Sequence, residues 1–541
     1  MTPPTPDPTA SPVDITAEQH LDAIRDLTAN PTDPERAARV VDYALRDPEA
    51  SRAAHQQYKP FGGSKIPGEL DFDNLNIPQP AGAYSPGSVA ELAALMQEAV
   101  DRGLPIKAIG AGYALSDVDG TAGYLLNLGT SLTRVRPADG AEMKAGGGEV
   151  LYEVEAGASI DQVNRTLWAG GYALHNQPGF EGLTLVGVSS VGGHGSGQQL
   201  IGIAESIRAI RLLGFDAAGK VKGWQVEPSA GITDPRKYSR AGGFELLQDD
   251  DAFYCARVGL GALGVIASVI VSVRPAYYLR EQRTFFEWPD LAGQIAALRR
   301  PAPDYHSFAV WLNPYQHGSQ SQATALLSTY HECPGPPRGV RGLGILFGGS
   351  NAVAHLIVWW VAHSPKALPT LMDSALRSAA DSDVVMPCTE ALNFGPPNHL
   401  SVVASACGIA ADSTVEAVEF IIALARKFAS DTQSYITSPI GLRFVAAAQS
   451  YLSPQYGRDT CMIEVPMLGG TPDATESLDA FQSAMSAQFG ARPHWGQRLT
   501  LGEQGARALY PRYDTFKKAL ATFGAAGRYG NERLRVLGLD R

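Results

Sequence analysis

The stretch Pro105-Ile-Lys-Ala-Ile-Gly-Ala-Gly-Tyr-Ala-Leu-Ser-Asp117, read with the later Ser189-Ser-Val-Gly-Gly-His-Gly-Ser-Gly197, decides how this chain is understood. In the first, an apolar strand enters a Gly110-Ala111-Gly112 turn; in the second, glycine recurs at 192, 193, 195 and 197. Where β-carbons are missing, backbone N–H groups can approach pyrophosphate oxygens closely. Two such turns point to a large bound dinucleotide. A third run, Gly259-Leu-Gly-Ala-Leu-Gly264, satisfies G-x-G-x-x-G, but it precedes the apolar stretch 265–273 and opens no helix, so a Rossmann reading fails on context. The first turn departs from that pattern as well, with Leu115 in the place of the third glycine. No G-x-x-x-x-G-K-[ST] loop is present, which argues against an NTPase.

The 541 residues exceed one hydrophobic core and should divide into two or three domains. A hydrophobic fraction of 45% with 18% charged residues suits a globular protein. The net charge of −11, without basic stripes, argues against nucleic acid or an anionic membrane surface as partner. Cys255, Cys333, Cys388, Cys407 and Cys461 are odd in number and form no C-x-x-C, which suggests neither a disulfide framework nor a metal site and makes the cytoplasm the simplest address. Residues 1–14 lack the basic start and apolar run of a signal peptide. The apolar run 343–363 is broken by Gly348-Gly-Ser-Asn351 below the ~20 residues of a spanning helix, so it reads as a buried or interface helix and membrane association is not expected.

Along the chain, 1–75 reads as a tail and a helical extension, with helical patterns over 17–28 and 34–47. From 76 to 275 the pattern is that of one two-lobed α+β domain. Its first unit has a helix over 88–103, a strand at 106–109 and another at 124–128. Its second has a strand at 151–155, a helix at 160–169 capped by Ser159 and stopped by Gly170-Gly171, a helix over 198–205, and strands at 207–214 and 265–274. A second α+β domain spans 276–500, with a poorly periodic insertion near 331–400, and a distinct segment closes the chain over 501–541.

The ordered glycine turns, with Val258-Gly-Leu-Gly-Ala-Leu-Gly-Val-Ile266, resemble the flavin-binding domain of the vanillyl-alcohol oxidase and p-cresol methylhydroxylase superfamily. Arg492-Pro-His-Trp-Gly-Gln497, Leu509-Tyr-Pro-Arg-Tyr513 and Gly527-Arg-Tyr-Gly-Asn531 resemble the closing motifs of its sugar-1,4-lactone oxidase and alditol oxidase branch. The block from Arg443 to Thr460 is similar to bacterial alditol oxidases.

The resemblance implies a PCMH-type FAD-binding domain, a cap domain over the isoalloxazine ring, and a C-terminal segment returning to the flavin. FAD would be held by Ile109, Gly110, Ala111, Gly112, Tyr113, Ala114 and Ser116 of the first turn. From the second turn it implies Ser189, Ser190, Gly192, Gly193, His194, Gly195 and Ser196, followed by Gly264, Val265, Ile266 and Asn531. Many relatives carry a flavin-bonded histidine where this chain has Tyr113, so the FAD is expected to be non-covalent. His194 has no second ligand near it in sequence and reads as ordering its turn by a hydrogen bond. Ser189, Ser190 and Ser196 could bond phosphate or the flavin, or simply shape the turn.

Alditol oxidases have a Glu two residues before the Arg, a His in the following strand and a Lys ending the His-Trp-Gly motif. Here those places hold Gly441, Glu464 and Gln497; Arg443 alone persists. The catalytic candidates are therefore Glu464, Arg443, Gln497 and His494. Among apolar neighbours a carboxylate tends toward the pKa of a useful base, while an ion pair between Glu464 and Arg443 is the bland alternative. Trp495 fits core packing as well as contact. The implied reaction is hydride transfer from a CH–OH or similar centre of a small polar or natural-product molecule to the flavin, with oxygen or another acceptor reoxidising it. An aldonolactone oxidase or dehydrogenase, an alditol oxidase, and a flavin-binding protein with a degenerate site stand beside that reading.

Overall fold

A computed structural model of the chain describes residues 80–144, 148–300, 305–316, 322–339, 364–393, 402–468, 471 and 473–541, with isolated positions between 16 and 43. The helices expected over 17–28 and 34–47 lie largely outside the described residues, and the apolar run 343–363 lies wholly outside them. None of the described helices is long and apolar enough to cross a membrane.

The fold is α+β, with three sheets among the described residues. In the first, strand Tyr124–Asn127 lies between Gly82–Tyr84 and Ile106–Ile109, all parallel. Helix Val89–Asp101 connects the outer two. Leu92, Met96 and Ala99 recur on one face and are fully buried, and Ser88 accepts the Glu91 N–H at 3.2 Å to start it. The second sheet has seven strands centred on Val265–Pro275, which pairs antiparallel with Val150–Glu155 and Ile207–Phe215. Helix Ile160–Ala169 opens on a capping box between Ser159 and Gln162 and stops at Gly170, as the sequence predicts.

The third sheet has eight strands, and its inner run is Tyr305–Asn313, Ile440–Val445, Thr460–Leu468 and Val402–Ala410, paired antiparallel. Strand side chains alternate between faces. Ile440, Leu442, Phe444, Ile463 and Val465 join one core with helices Thr414–Thr432 and Ala474–Phe489. The intervening Gly441, Arg443, Glu464 and Pro466 are thereby set on the other face.

One expectation is corrected. No α-helix covers 198–205: Leu200 N–H closes a turn on the Gly197 carbonyl, Asn176 holds the Ile201 carbonyl, and only a short 3-10 turn follows at Ile203–Ser206. Within 331–400, the described part contributes helix Leu368–Ser378 and strand Asp383–Pro387, which pairs with Tyr278–Glu287. Leu368, Leu371, Met372, Ala375 and Leu376 recur at helical spacing in this segment, and Thr370, Asp373 and Ser374 between them are buried as well.

The C-terminal segment returns to the first two sheets. Tyr513, Phe516, Phe523, Tyr529 and Leu534 share one core with Leu212 and Phe215, and Arg528 O accepts the Ile106 N–H at 2.8 Å. Glu205 ties the block after Arg443 to the same body: it pairs with Arg257 at 2.7 Å and accepts the N–H groups of Gln449 and Ser450 at 3.1 and 3.2 Å.

Candidate active site

A cavity of about 500 Å³ is lined on one side by the glycine segments and on the other by the third sheet and helix Leu368–Ser378. Ile109, Gly110, Ala111, Gly112, Tyr113 and Ala114 all line it. Among the described residues, the N–H groups of Ala111, Gly112, Tyr113 and Ala114 donate to no protein acceptor. Gly112 has φ +70° and open space where a β-carbon would project, whereas at Gly110 a β-carbon would meet Thr184 Oγ1 at 2.0 Å. The first glycine lets the turn approach helix Leu185–Ser190, and the second leaves the cavity clear.

From the second turn, Ser190, Gly193 and His194 line the cavity, as do Gly264 and Ile266. Ser116, Ser189, Gly192, Gly195, Ser196, Val265 and Asn531 do not. Ser189 turns back to the Leu185 carbonyl at 2.9 Å, because residues 185–190 are helical and leave its hydroxyl inside the turn. Ser116 donates to Trp495 O at 2.9 Å, and Ser196 donates to Phe308 O. Gly192 and Gly195 serve packing, against Pro454 and Asn176. Val265 faces away because it falls between Gly264 and Ile266 in a strand of period two. Asn531 gives its amide hydrogens to the carbonyls of Asp117, Val118 and Gly120 at 2.9 to 3.1 Å, which fastens the C-terminal segment to the loop after the first turn.

Arg443, Glu464, His494 and Gln497 come together on the opposite wall. Trp311, Gly441, Glu464 and Ala406 stand in one cross-strand row. Gln497 Nε2 donates to Glu464 Oε1 at 2.6 Å, so the partner of Glu464 is Gln497 rather than Arg443, whose guanidinium lies 5.6 Å from the centre of the Trp311 ring. Trp495 is core: its indole N–H reaches Leu452 O at 2.6 Å and its ring packs on Tyr510 at 4.8 Å.

His194 and His494 meet edge to face with ring centres 5.9 Å apart. Burial, aided by His494 and Arg443, pushes the His194 pKa down to about 3, and burial pushes that of His494 to about 4. Both are therefore neutral at pH 7. His494 Nδ1 accepts the Gly496 N–H at 3.1 Å, which leaves its proton on Nε2; His194 Nδ1 contacts Gly195 O at 2.9 Å and must carry the proton there. The pair offers one imidazole donor and one imidazole acceptor.

Sequence reasoning missed Lys107 and Asp119, which also line the cavity. Lys107 Nζ donates to Leu260 O at 2.9 Å, and burial pushes its pKa down to about 8. Burial pushes Asp119 up to about 6, and its Oδ1 has no hydrogen-bond partner among the described residues. The available signal was a lysine inside the apolar strand Ile106–Ile109. Trp311 and helix Leu368–Ser378 carried no such mark.

The chain matches the FAD-binding domain family over residues 80–221 and the D-arabinono-1,4-lactone oxidase family over residues 273–536. L-gulono-1,4-lactone dehydrogenase of Mycobacterium tuberculosis is 27% identical over 81% of this chain and 91% of its own length. Alditol oxidase of a Streptomyces species is 23% identical over 71% and 80%. Cholesterol oxidase from B. sterolicum shares the fold, with a TM-score of 0.66 and 13% identity across 84% of this chain and 93% of that one. With its two matched domains in order along the chain, the protein is an FAD-dependent oxidoreductase of the vanillyl-alcohol oxidase and p-cresol methylhydroxylase superfamily, on the branch of the sugar-1,4-lactone and alditol oxidases.

Proposed function

We propose that the enzyme oxidises a CH–OH group of a small molecule to a carbonyl, with Glu464 taking the hydroxyl proton. The observation that carries this reading is the juxtaposition, across one cavity, of a glycine cradle and a carboxylate oriented by an amide. The cradle fits FAD: Ala111, Gly112, Tyr113 and Ala114 supply unengaged N–H groups suited to a pyrophosphate, beside glycines that leave space for it. When bound, FAD supplies a two-electron acceptor for the hydride of the substrate carbon.

The chain's own groups divide the remaining work. With Gln497 bonded to Oε1, Glu464 keeps Oε2 for the substrate hydroxyl. His494 lines the same cavity with its proton on Nε2, and Arg443, rather than either neutral histidine, supplies the positive charge that favours an alkoxide. Tyr113 lines the cavity where relatives carry a flavin-bonded histidine, and the FAD is held non-covalently. Oxygen or another acceptor takes the electrons. The test is anaerobic: purified yellow protein is mixed with CH–OH donors, including alditols, aldonolactones and simple alcohols. Bleaching by one class supports the reading, and bound flavin that no donor bleaches contradicts it.

A further inference from the structure

Helix Leu368–Ser378 turns Leu368, Leu371, Met372 and Ala375 toward the cavity, at the spacing of a single helical face. Such a stripe normally meets a hydrophobic core. Here it forms a wall of the chamber on the side of the third sheet, continuous with Trp311. The indole sits where the strand lacks a side chain, since a β-carbon on Gly441 would come within 3.0 Å of Trp311 Cζ3 and 3.8 Å of Glu464 Cβ. At the position where alditol oxidases carry a carboxylate, this chain presents an aromatic face.

Among the described residues on the side of the third sheet, the polar groups are confined to one end, with Lys107 and Asp119 on the glycine side. Arg443, Glu464, Gln497 and the two histidines gather there, and Gln497 donates to Glu464 while its own Oε1 has no partner among the described residues. Thr437 lines the chamber too, but its hydroxyl is engaged by the Leu468 N–H at 2.7 Å, so on this side Ser438 adds the further hydroxyl among the described residues, with Tyr113 and Ser190 on the glycine side. A polyol needs a partner for each buried hydroxyl, and each one left against Leu371 or Met372 weakens binding roughly ten- to a hundredfold.

We propose that the substrate is a monohydric alcohol on an apolar skeleton, its hydroxyl-bearing carbon at Glu464 and its body against Trp311 and helix Leu368–Ser378. This rests on the CH–OH reading above and narrows it to a substrate class. The chemistry is unchanged: a C–H bond breaks with its electron pair leaving to FAD, the O–H proton leaves to Glu464, and the C–O bond becomes C=O.

The test uses wild-type holoenzyme, mixed anaerobically with straight-chain primary alcohols from butanol to octanol, with xylitol and with gulono-1,4-lactone, while flavin bleaching is followed. The second-order rate constant for reduction should rise about fourfold per added methylene. Octanol should exceed xylitol and the lactone by about a hundredfold or more. Trp311→Ala should flatten the chain-length series; flavin content checks its fold, and Met372→Gln replaces it if that content is lost. Faster reduction by xylitol or the lactone, with no dependence on chain length, overturns the apolar substrate and leaves the CH–OH reading standing. If every donor is inert while dithionite still bleaches the flavin, the CH–OH reading itself falls, and this proposal with it.

Discussion

Gln497 donates its amide hydrogen to Glu464 at 2.6 Å, joining the loop after strand Arg492–Pro493 to an inner strand of the eight-stranded sheet. One amide thus fixes the rotamer of the carboxylate that faces the substrate. Replacing it with an isostere that cannot donate, Gln497→Leu, should slow flavin reduction about tenfold, the scale of one lost hydrogen bond, while FAD content stays full. Gln497→Lys keeps a donor and should recover part of the rate. Rapid-reaction spectroscopy at saturating substrate separates this loss in rate from a change in binding.

Gly112→Ala places a methyl group in the cavity and forces a residue with a β-carbon to φ +70°. The expected outcome is FAD affinity reduced at least about tenfold, with unchanged far-ultraviolet circular dichroism. The flavin-to-protein ratio after gel filtration measures it.

Asn531 caps helix Glu532–Val536 by accepting the Leu534 N–H at 2.8 Å and satisfies three carbonyls of the loop at 117–120. Asn531→Ala removes the cap and leaves those carbonyls short of a donor, at a cost of about 2–4 kcal/mol. Thermal unfolding should shift down and flavin release should come earlier.

His194 and His494 have folded pKa values of about 3 and about 4, below the ordinary value of 6.5. Between pH 6.5 and those values the unfolded chain binds protons that the folded chain refuses. The stability contributed by the neutral rings is therefore complete above pH 6.5 and lost as pH falls through that window. Thermal midpoints measured from pH 7 to pH 4 should decline, and His494→Gln should make the decline shallower.

If the FAD is non-covalent, acid precipitation should leave the yellow colour in the supernatant. Tyr113→Phe should not change that result, because the phenol oxygen forms no bond to the cofactor. Absorbance of supernatant and pellet decides it.

Local signals made much of this legible. The strand Ile106–Ile109, the cap at Ser159 and the stop at Gly170 follow from patterning within a few residues, and the structure has them where the sequence predicts. The grouping of Arg443, Glu464, His494 and Gln497 came from motif resemblance, since no spacing rule relates positions that meet only through strand pairing. What stayed hidden was relational. Ser189 could bond phosphate or shape its turn, and only the helix over residues 185–190 shows its hydroxyl on the Leu185 carbonyl. Helix Leu368–Ser378 has its apolar residues at helical spacing, but no local pattern tells that this face meets the cavity, and the indole of Trp311 reaches the site because Tyr305–Asn313 pairs with Ile440–Val445 in a register no local pattern reveals. Lys107 could have been found by the logic applied to Glu464, a charge amid apolar neighbours.

The central claim is that Glu464 removes the hydroxyl proton as the substrate is oxidised. Anaerobic stopped-flow reduction of Glu464→Gln, using whichever donor bleaches the wild-type flavin, tests it most directly. The account expects reduction slower by about 10² or more with FAD content intact. Reduction at the wild-type rate would contradict it.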